Sequence, residues 1–170
     1  ASKARDVDGA GIKLWDIEGS VSVGMLEGGH KSSVAALSFN SDGTMLASSG
    51  KDRRLCVWKK NEKNGKFSLV AAEDNAHKRI VWCVAWSTTE DNVLVSGARD
   101  GLLKIWNVGE TALTCVKEIN FNESVTSVAF APGLPIAAIG LESGAIKLLD
   151  TVGGEEIKDL EGAHVATVNR

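Results

Sequence analysis

The chain has 170 residues, 44% of them hydrophobic and 24% charged, with a formal net charge of -3. That supplies apolar material for a packed core and no compositional sign of disorder, while the slight acidity offers no global attraction to nucleic acid or an anionic membrane, so any electrostatic partner has to be held by a local patch. No apolar run is long enough to span a bilayer, and the opening ASKARDVDGAG lacks the apolar segment of a signal peptide; starting without Met, the sequence is expected to be cut from a longer chain.

In chain order, GIKLWD (11–16) and VSVGML (21–26) read as the third and fourth strands of an incomplete first unit, 1–28, with residues 1–3 as the end of its second strand. The second unit, 29–72, opens with HKSSVAALSFNSDGTMLASSGKDRRLCVW (30–58). Its apolar runs 34–39, 45–49 and 55–58 are separated by Asn-Ser-Asp-Gly at 40–43 and by a second turn at 50–53, and a fourth strand at 67–71 follows the polar segment KKNEKNGK. Tight turns between short runs predict four antiparallel strands. The third unit, 73–120, repeats this as HKRIVWCVAWSTTEDNVLVSGARDGLLKIW (77–106), with one extra residue near 90–92 and an outer strand at 114–119. A fourth, 121–161, keeps the strands (VTSVAF, IAAIG, AIKLLD, EEIKDL) but loses the polar marks; GAHVATV then starts the first strand of a further unit, 162–170, with His164 leading into it.

Trp15, Trp58, Trp106 and Leu149 end successive third strands, at intervals of 43, 48 and 43 residues. Four short strands per period in the forties predict an all-β fold built of four-stranded antiparallel propeller blades. Cys56, Cys83 and Cys115 are odd in number and have no C-x-x-C spacing or neighbouring His, so they predict buried reduced thiols in a cytosolic or nuclear protein, with no metal site.

His30, Ser48, Asp52 and Trp58 recur as His77, Ser96, Asp100 and Trp106, with Ser to Asp four residues and Asp to Trp six residues in both copies. In this pattern the chain resembles the WD-repeat β-propeller family, and as a partial propeller. The resemblance implies that each set is a structural tetrad in which carboxylate, imidazole, hydroxyl and indole are joined by hydrogen bonds. A Ser, a His and an Asp also suggest a hydrolase triad, but the nucleophile elbow G-x-S-x-G is missing and the trio occurs twice at repeat spacing, which favours the structural reading. Gly9-Ala10-Gly11 lacks the third glycine of a phosphate loop, and the acidic pairs Glu90-Asp91 and Glu155-Glu156 read as solvated turn residues.

In this architecture the loop before the first strand and the turn from the second strand to the third share one rim. Lys31, Lys51, Arg53, Lys78, Arg79 and Arg99 are expected to gather there as a candidate binding rim for an acidic partner or an RNA backbone. Lys59, Lys60, Lys63 and Lys66 are expected on the opposite rim, solvated. Trp82 and Trp86, alternating with Val84, are expected on one buried face, with Trp82, in the place of Ala35 and Thr126, able to reach the central channel.

AHKRIVW and AIGLESG, alongside SSGKDRRLCVW and SGARD, narrow the resemblance to the second propeller of the Elongator second-subunit family, over the whole chain. It implies a non-catalytic scaffold without cofactor or small-molecule substrate, away from membranes, in the cytoplasm and also the nucleus. Its expected partners are other protein subunits, the Elongator core among them, in a complex that modifies tRNA wobble uridines, with weak RNA contact as an addition. The alternatives are an unrelated WD-repeat adaptor for trafficking or ubiquitin ligation and a propeller surface that binds RNA directly. Three whole units and parts of others cannot close a seven-bladed ring, so open sheet edges are expected; the alternatives are a small four-unit ring, in which the strand from His164 onward joins the first unit, and a dimer of two open arcs.

Overall fold

Turn chemistry sets the strand order. In the computed structural model, which describes residues 11–160 and 167–168, β1 (Ile12–Asp16) and β2 (Val21–Leu26) form a two-stranded antiparallel sheet. Three four-stranded sheets follow. The first holds β3 (Val34–Phe39), β4 (Met45–Gly50), β5 (Leu55–Lys60) and β6 (Phe67–Glu73). The second holds β7 (Val81–Trp86), β8 (Val93–Ala98), β9 (Leu102–Val108) and β10 (Leu113–Asn120). The third holds β11 (Val125–Phe130), β12 (Ile136–Leu141), β13 (Ile146–Asp150) and β14 (Glu155–Leu160). In each, neighbours in sequence are neighbours in space, a meander without crossovers.

The β3–β4 turn shows how the sequence writes this. Asn40 Oδ1 accepts the Met45 N–H at 2.9 Å, Asp42 Oδ1 accepts the Thr44 N–H at 2.8 Å, and Gly43 takes φ 70°. These side chains satisfy backbone groups that no strand partner reaches. The turn between second and third strands is the same in all three sheets: Arg53 N to Gly50 O at 3.2 Å, Gly101 N to Ala98 O at 3.2 Å, and Gly144 N to Leu141 O at 3.1 Å.

The sheets stack face to face, and the period-2 alternation of their inner strands sends successive residues to opposite neighbours. Leu46, Cys56 and Trp58 pack with Ile12 and Leu26 of the two-stranded sheet. Ala47, Leu55 and Val57 point the other way and pack with Val84, Trp86 and Trp106. Beyond them, Cys83, Val95 and Ile105 meet Val125, Ile139 and Leu149. Strands buried on both faces explain why β4 and β8 run as continuous apolar or small residues.

Register irregularities recur at fixed places. The first strands are bulged between Val34 and Ala36, Val81 and Cys83, and Val125 and Ser127. This corrects the expectation for the tryptophans: Val84 and Trp86 share the buried face, but Trp82 is the bulged residue, left out of the alternation and half-buried. Ala35 and Thr126 are the corresponding bulged residues. A second correction concerns Cys115, which is half-buried, while Cys56 and Cys83 are buried. The expected strand at residues 1–3 and His164 lie outside the described residues. Of the last expected segment, Val168 is seen: its carbonyl accepts from Thr126 Oγ1 at 2.6 Å, and a Cβ on Gly140 would meet its side chain.

Among the described residues no helix is long and apolar enough to cross a membrane.

Candidate functional site: two buried tetrads and the rim above them

Ser48 in β4 and Trp58 in β5 come together because the strands are antiparallel and paired with Ser48 opposite Cys56. The Trp58 indole N–H donates to Ser48 Oγ at 2.8 Å. The same oxygen lies 2.8 Å from His30 Nε2, and His30 Nδ1 lies 3.1 Å from both oxygens of Asp52. Because the carboxylate only accepts, Nδ1 carries the proton; the serine hydroxyl then donates to Nε2 while accepting from the indole. The second copy repeats this: Trp106 Nε1 to Ser96 Oγ at 2.8 Å, Ser96 Oγ to His77 Nε2 at 2.8 Å, and His77 Nδ1 to Asp100 at 3.2 and 3.3 Å.

This proton arrangement needs neutral imidazoles, and for His77 burial lowers the pKa against the opposing pull of Asp100. Burial alone would raise the Asp52 pKa, but the Lys31 N–H, the His30 ring and the Arg54 N–H together hold it below the usual carboxylate value. Both serines are 0% exposed with their hydroxyls engaged on both sides. No substrate carbonyl can reach either one, so neither trio is arranged as a nucleophilic triad. Among the described residues no group of His, Cys, Asp and Glu could hold a metal ion.

Each tetrad aspartate also fastens the rim. Asp52 Oδ2 accepts the Lys31 N–H at 2.7 Å and Oδ1 the Arg54 N–H at 3.2 Å; Asp100 does the same for Lys78 at 2.8 Å and Leu102 at 3.1 Å. Lys51 N donates to Ser33 O at 2.9 Å and Arg99 N to Ile80 O at 3.0 Å, closing the loop before the first strand onto the turn after the second. The side chains of Lys31, Lys51, Arg53, Lys78, Arg79 and Arg99 are all exposed on these two loop pairs. Lys59, Lys60, Lys63 and Lys66, around the β5–β6 turn, are exposed as well.

The sequence reading missed Arg54. Only 12% of its side chain is exposed, its Nε lies 2.6 Å from Asp74 Oδ1, and Nη1 donates to the Gly29 carbonyl. Asp74 also lies 3.9 Å from Lys31 Nζ. A signal existed: the second repeat has two arginines in KDRR where the third has one in ARDGL.

The fourth repeat holds a second missed feature. Where the tetrads have Ser and Trp it has Ile139 and Leu149, both buried in one apolar cluster, and Phe121 packs on that cluster four residues before the first strand, where the others have His. The repeat has exchanged a hydrogen-bonded pin for an apolar one.

The pattern of the WD domain, G-beta repeat, matches residues 21–59 and 68–107. The chain is similar to Elongator complex protein 2 of Dictyostelium discoideum, 28% identical over 98% of this chain and 20% of that protein. It is also similar to Elongator complex protein 2 of Arabidopsis thaliana, 35% identical over 86% of this chain and 18% of that protein. It therefore spans about a fifth of the length of these curated relatives. Among solved structures, Chaetomium thermophilum Sqt1 bound to the N-terminus of the ribosomal protein L10 superposes with a TM-score of 0.78 at 24% identity, covering 94% of this chain and 46% of that one. With the matched repeats, the stacked four-stranded sheets and this likeness in fold, the chain belongs to the WD-repeat β-propeller family.

Proposed function

We propose that the chain is a rigid, non-catalytic platform within the second subunit of an Elongator complex, holding other protein subunits of an assembly that modifies wobble uridines of tRNA. The observation that carries this reading is the similarity to Elongator complex protein 2 across nearly the whole chain in two distant organisms. The physical design agrees with it: both serine–histidine–aspartate trios are used up inside blades, and what they hold in place is a surface. The platform works in the cytoplasm and also in the nucleus, where its cysteine thiols stay reduced.

The test is affinity purification of the full-length chain that contains these residues, with its partners identified by mass spectrometry, and measurement of wobble-uridine modification in cells lacking it. Co-purification with a radical-chemistry subunit and loss of the modification are expected. Purification with an unrelated set of trafficking or ubiquitin-ligase proteins, with the modification intact, would replace this reading by that of a general WD-repeat adaptor.

A further inference from the structure

The turn between second and third strands occurs three times, with the same hydrogen bond, and its last residue is left-handed each time: φ 68° at Arg53, 82° at Gly101 and 96° at Gly144. Two repeats use glycine, which adopts this conformation without strain. One uses arginine, whose Cβ makes it unfavourable. Strain of this kind persists where something else selects for the side chain. Among the described residues nothing does so here. Arg53 is exposed, and among the described residues its guanidinium has no hydrogen-bond or ion-pair partner, whereas the adjacent Arg54 is engaged by Asp74 and Gly29.

The surroundings indicate what the side chain meets. The Asp52 carboxylate and the Lys51–Ser33 hydrogen bond bring Lys31, Lys51 and Arg53 onto one short stretch of rim, and the next blade adds Lys78, Arg79 and Arg99. The charge then changes sign. Where the second and third repeats place Lys51 and Arg99, the fourth has exposed Glu142, and Glu123 stands in its preceding loop, accepting the Ser143 N–H at 2.8 Å. A basic strip two blades long that ends against carboxylates suits a short acidic ligand better than an extended polyphosphate, which would be repelled at the fourth blade.

We infer that Arg53 is a binding residue, held left-handed at the rim so that its guanidinium, with Lys31 and Lys51, takes the carboxylates of a short acidic peptide segment of a partner protein. The inference rests on the platform reading above and names the chemistry of one of its surfaces. An arginine suits the task because its planar donors pair with a carboxylate on two bonds.

The experiment uses the full-length chain and two fluorescent probes, a short peptide of Glu and Asp and a single-stranded RNA of equal length, read by anisotropy at low and high salt. Peptide binding that weakens with salt is expected. Arg53→Gly and Arg53→Ala should each weaken it about five- to tenfold, the loss of one charge-assisted contact, while Arg53→Lys, which keeps the charge but not the two-bond pairing, should fall between them and the unaltered chain. Arg53→Gly alone should raise the melting temperature, by no more than about 2 °C in so long a chain, so weaker binding cannot be ascribed to unfolding. Peptide binding unchanged in Arg53→Gly, or a melting temperature lowered by it, would overturn the inference. So would RNA binding tighter than peptide binding and lost in the same variant. If the unaltered chain ignores the peptide yet still purifies with its partner subunits, the rim inference fails and the platform reading stands; if it binds the peptide but purifies alone, the reverse holds.

Discussion

Removing one hydroxyl should disconnect a tetrad. Ser96 is fully buried, and its Oγ joins the Trp106 indole to the His77 ring, at 2.8 Å from each. Ser96→Ala leaves no void larger than an oxygen but orphans two groups, an indole N–H and an imidazole nitrogen on residues 3% and 2% exposed. At about 1–3 kcal/mol for each buried group left unpaired, the variant should lose about 2–6 kcal/mol. Trp106→Phe removes one of the orphans in advance. The double variant should then lose less than the sum of the single losses, by about 1 kcal/mol or more. Urea unfolding followed by circular dichroism gives all four corners of the cycle. A Ser96→Ala variant within about 0.5 kcal/mol of its parent, or strict additivity in the double variant, would refute the claim that the hydroxyl is the joint of the network.

Three further expectations are open to measurement. Because burial lowers the His77 pKa below the ordinary 6.5, the unfolded chain binds this proton more readily than the folded one; stability from it is complete above pH 6.5 and falls as the pH drops through that value. Asp52, held below 3.8 by the Lys31 N–H, His30 and the Arg54 N–H against the upward effect of burial, adds a second loss as the pH falls below 3.8. Urea midpoints should therefore decline in two stages on acidification, and a midpoint that rises between about pH 7 and 5 would contradict the His77 argument. A methyl at position 97 would be forced against the side chains of Val125 and Cys83, so Gly97→Ala should cost about 1–3 kcal/mol, checked by thermal unfolding. Burial pushes the Cys56 thiol up to about 12, and it also donates to the Gly29 carbonyl at 3.3 Å, so native-state alkylation should reach half-buried Cys115 first and Cys56 only on unfolding. Equal labelling rates would count against this.

The strands were legible because the residues that end them do so by local chemistry: Asn40, Asp42 and Gly43 write their turn whatever lies around it. The period of Trp15, Trp58 and Trp106 then gave the blade. Bulges were not legible. Whether Trp82 shares a face with Val84 depends on where the β7 partner strand slips by one residue, and nothing in the residue types marks that place. Arg54 was hidden for a related reason: its counter-ion Asp74 is twenty residues away, and only the return of the chain after β6 brings it near. The rim cations could be assigned to loops from the sequence, since the tetrad aspartates recur beside them. Arg53 was counted there as one charge among six, because a positive φ becomes visible only when the turn is aligned with Gly101 and Gly144.

The fourth repeat separates two roles that the tetrads combine. Its Ile139, Leu149 and Phe121 fill the positions of Ser, Trp and His with apolar groups, and the sheet still forms, with all four strands paired in chain order and its first strand's loop tied to the turn after its second by the Glu142 N–H to Ser124 carbonyl hydrogen bond at 3.0 Å. Replacing every member of a buried polar set by apolar groups costs little, whereas orphaning one member is expensive. Folding of a blade therefore does not by itself require the tetrad. What the fourth repeat lacks is the carboxylate at the end of the relay: Ser143 stands where Asp52 and Asp100 clamp the backbone of the preceding loop, and the rim above it carries glutamates instead of lysines and arginines. Clamp and basic rim occur together in the second and third repeats and disappear together in the fourth. That co-occurrence ties the tetrads to the holding of the rim more than to the holding of the core. It predicts that Asp52→Ser together with His30→Phe, Ser48→Ile and Trp58→Leu, the fourth repeat's own solution, will cost less stability in urea unfolding than Asp52→Ser alone, and that the acidic-peptide binding inferred for the rim will be weaker by anisotropy in both variants.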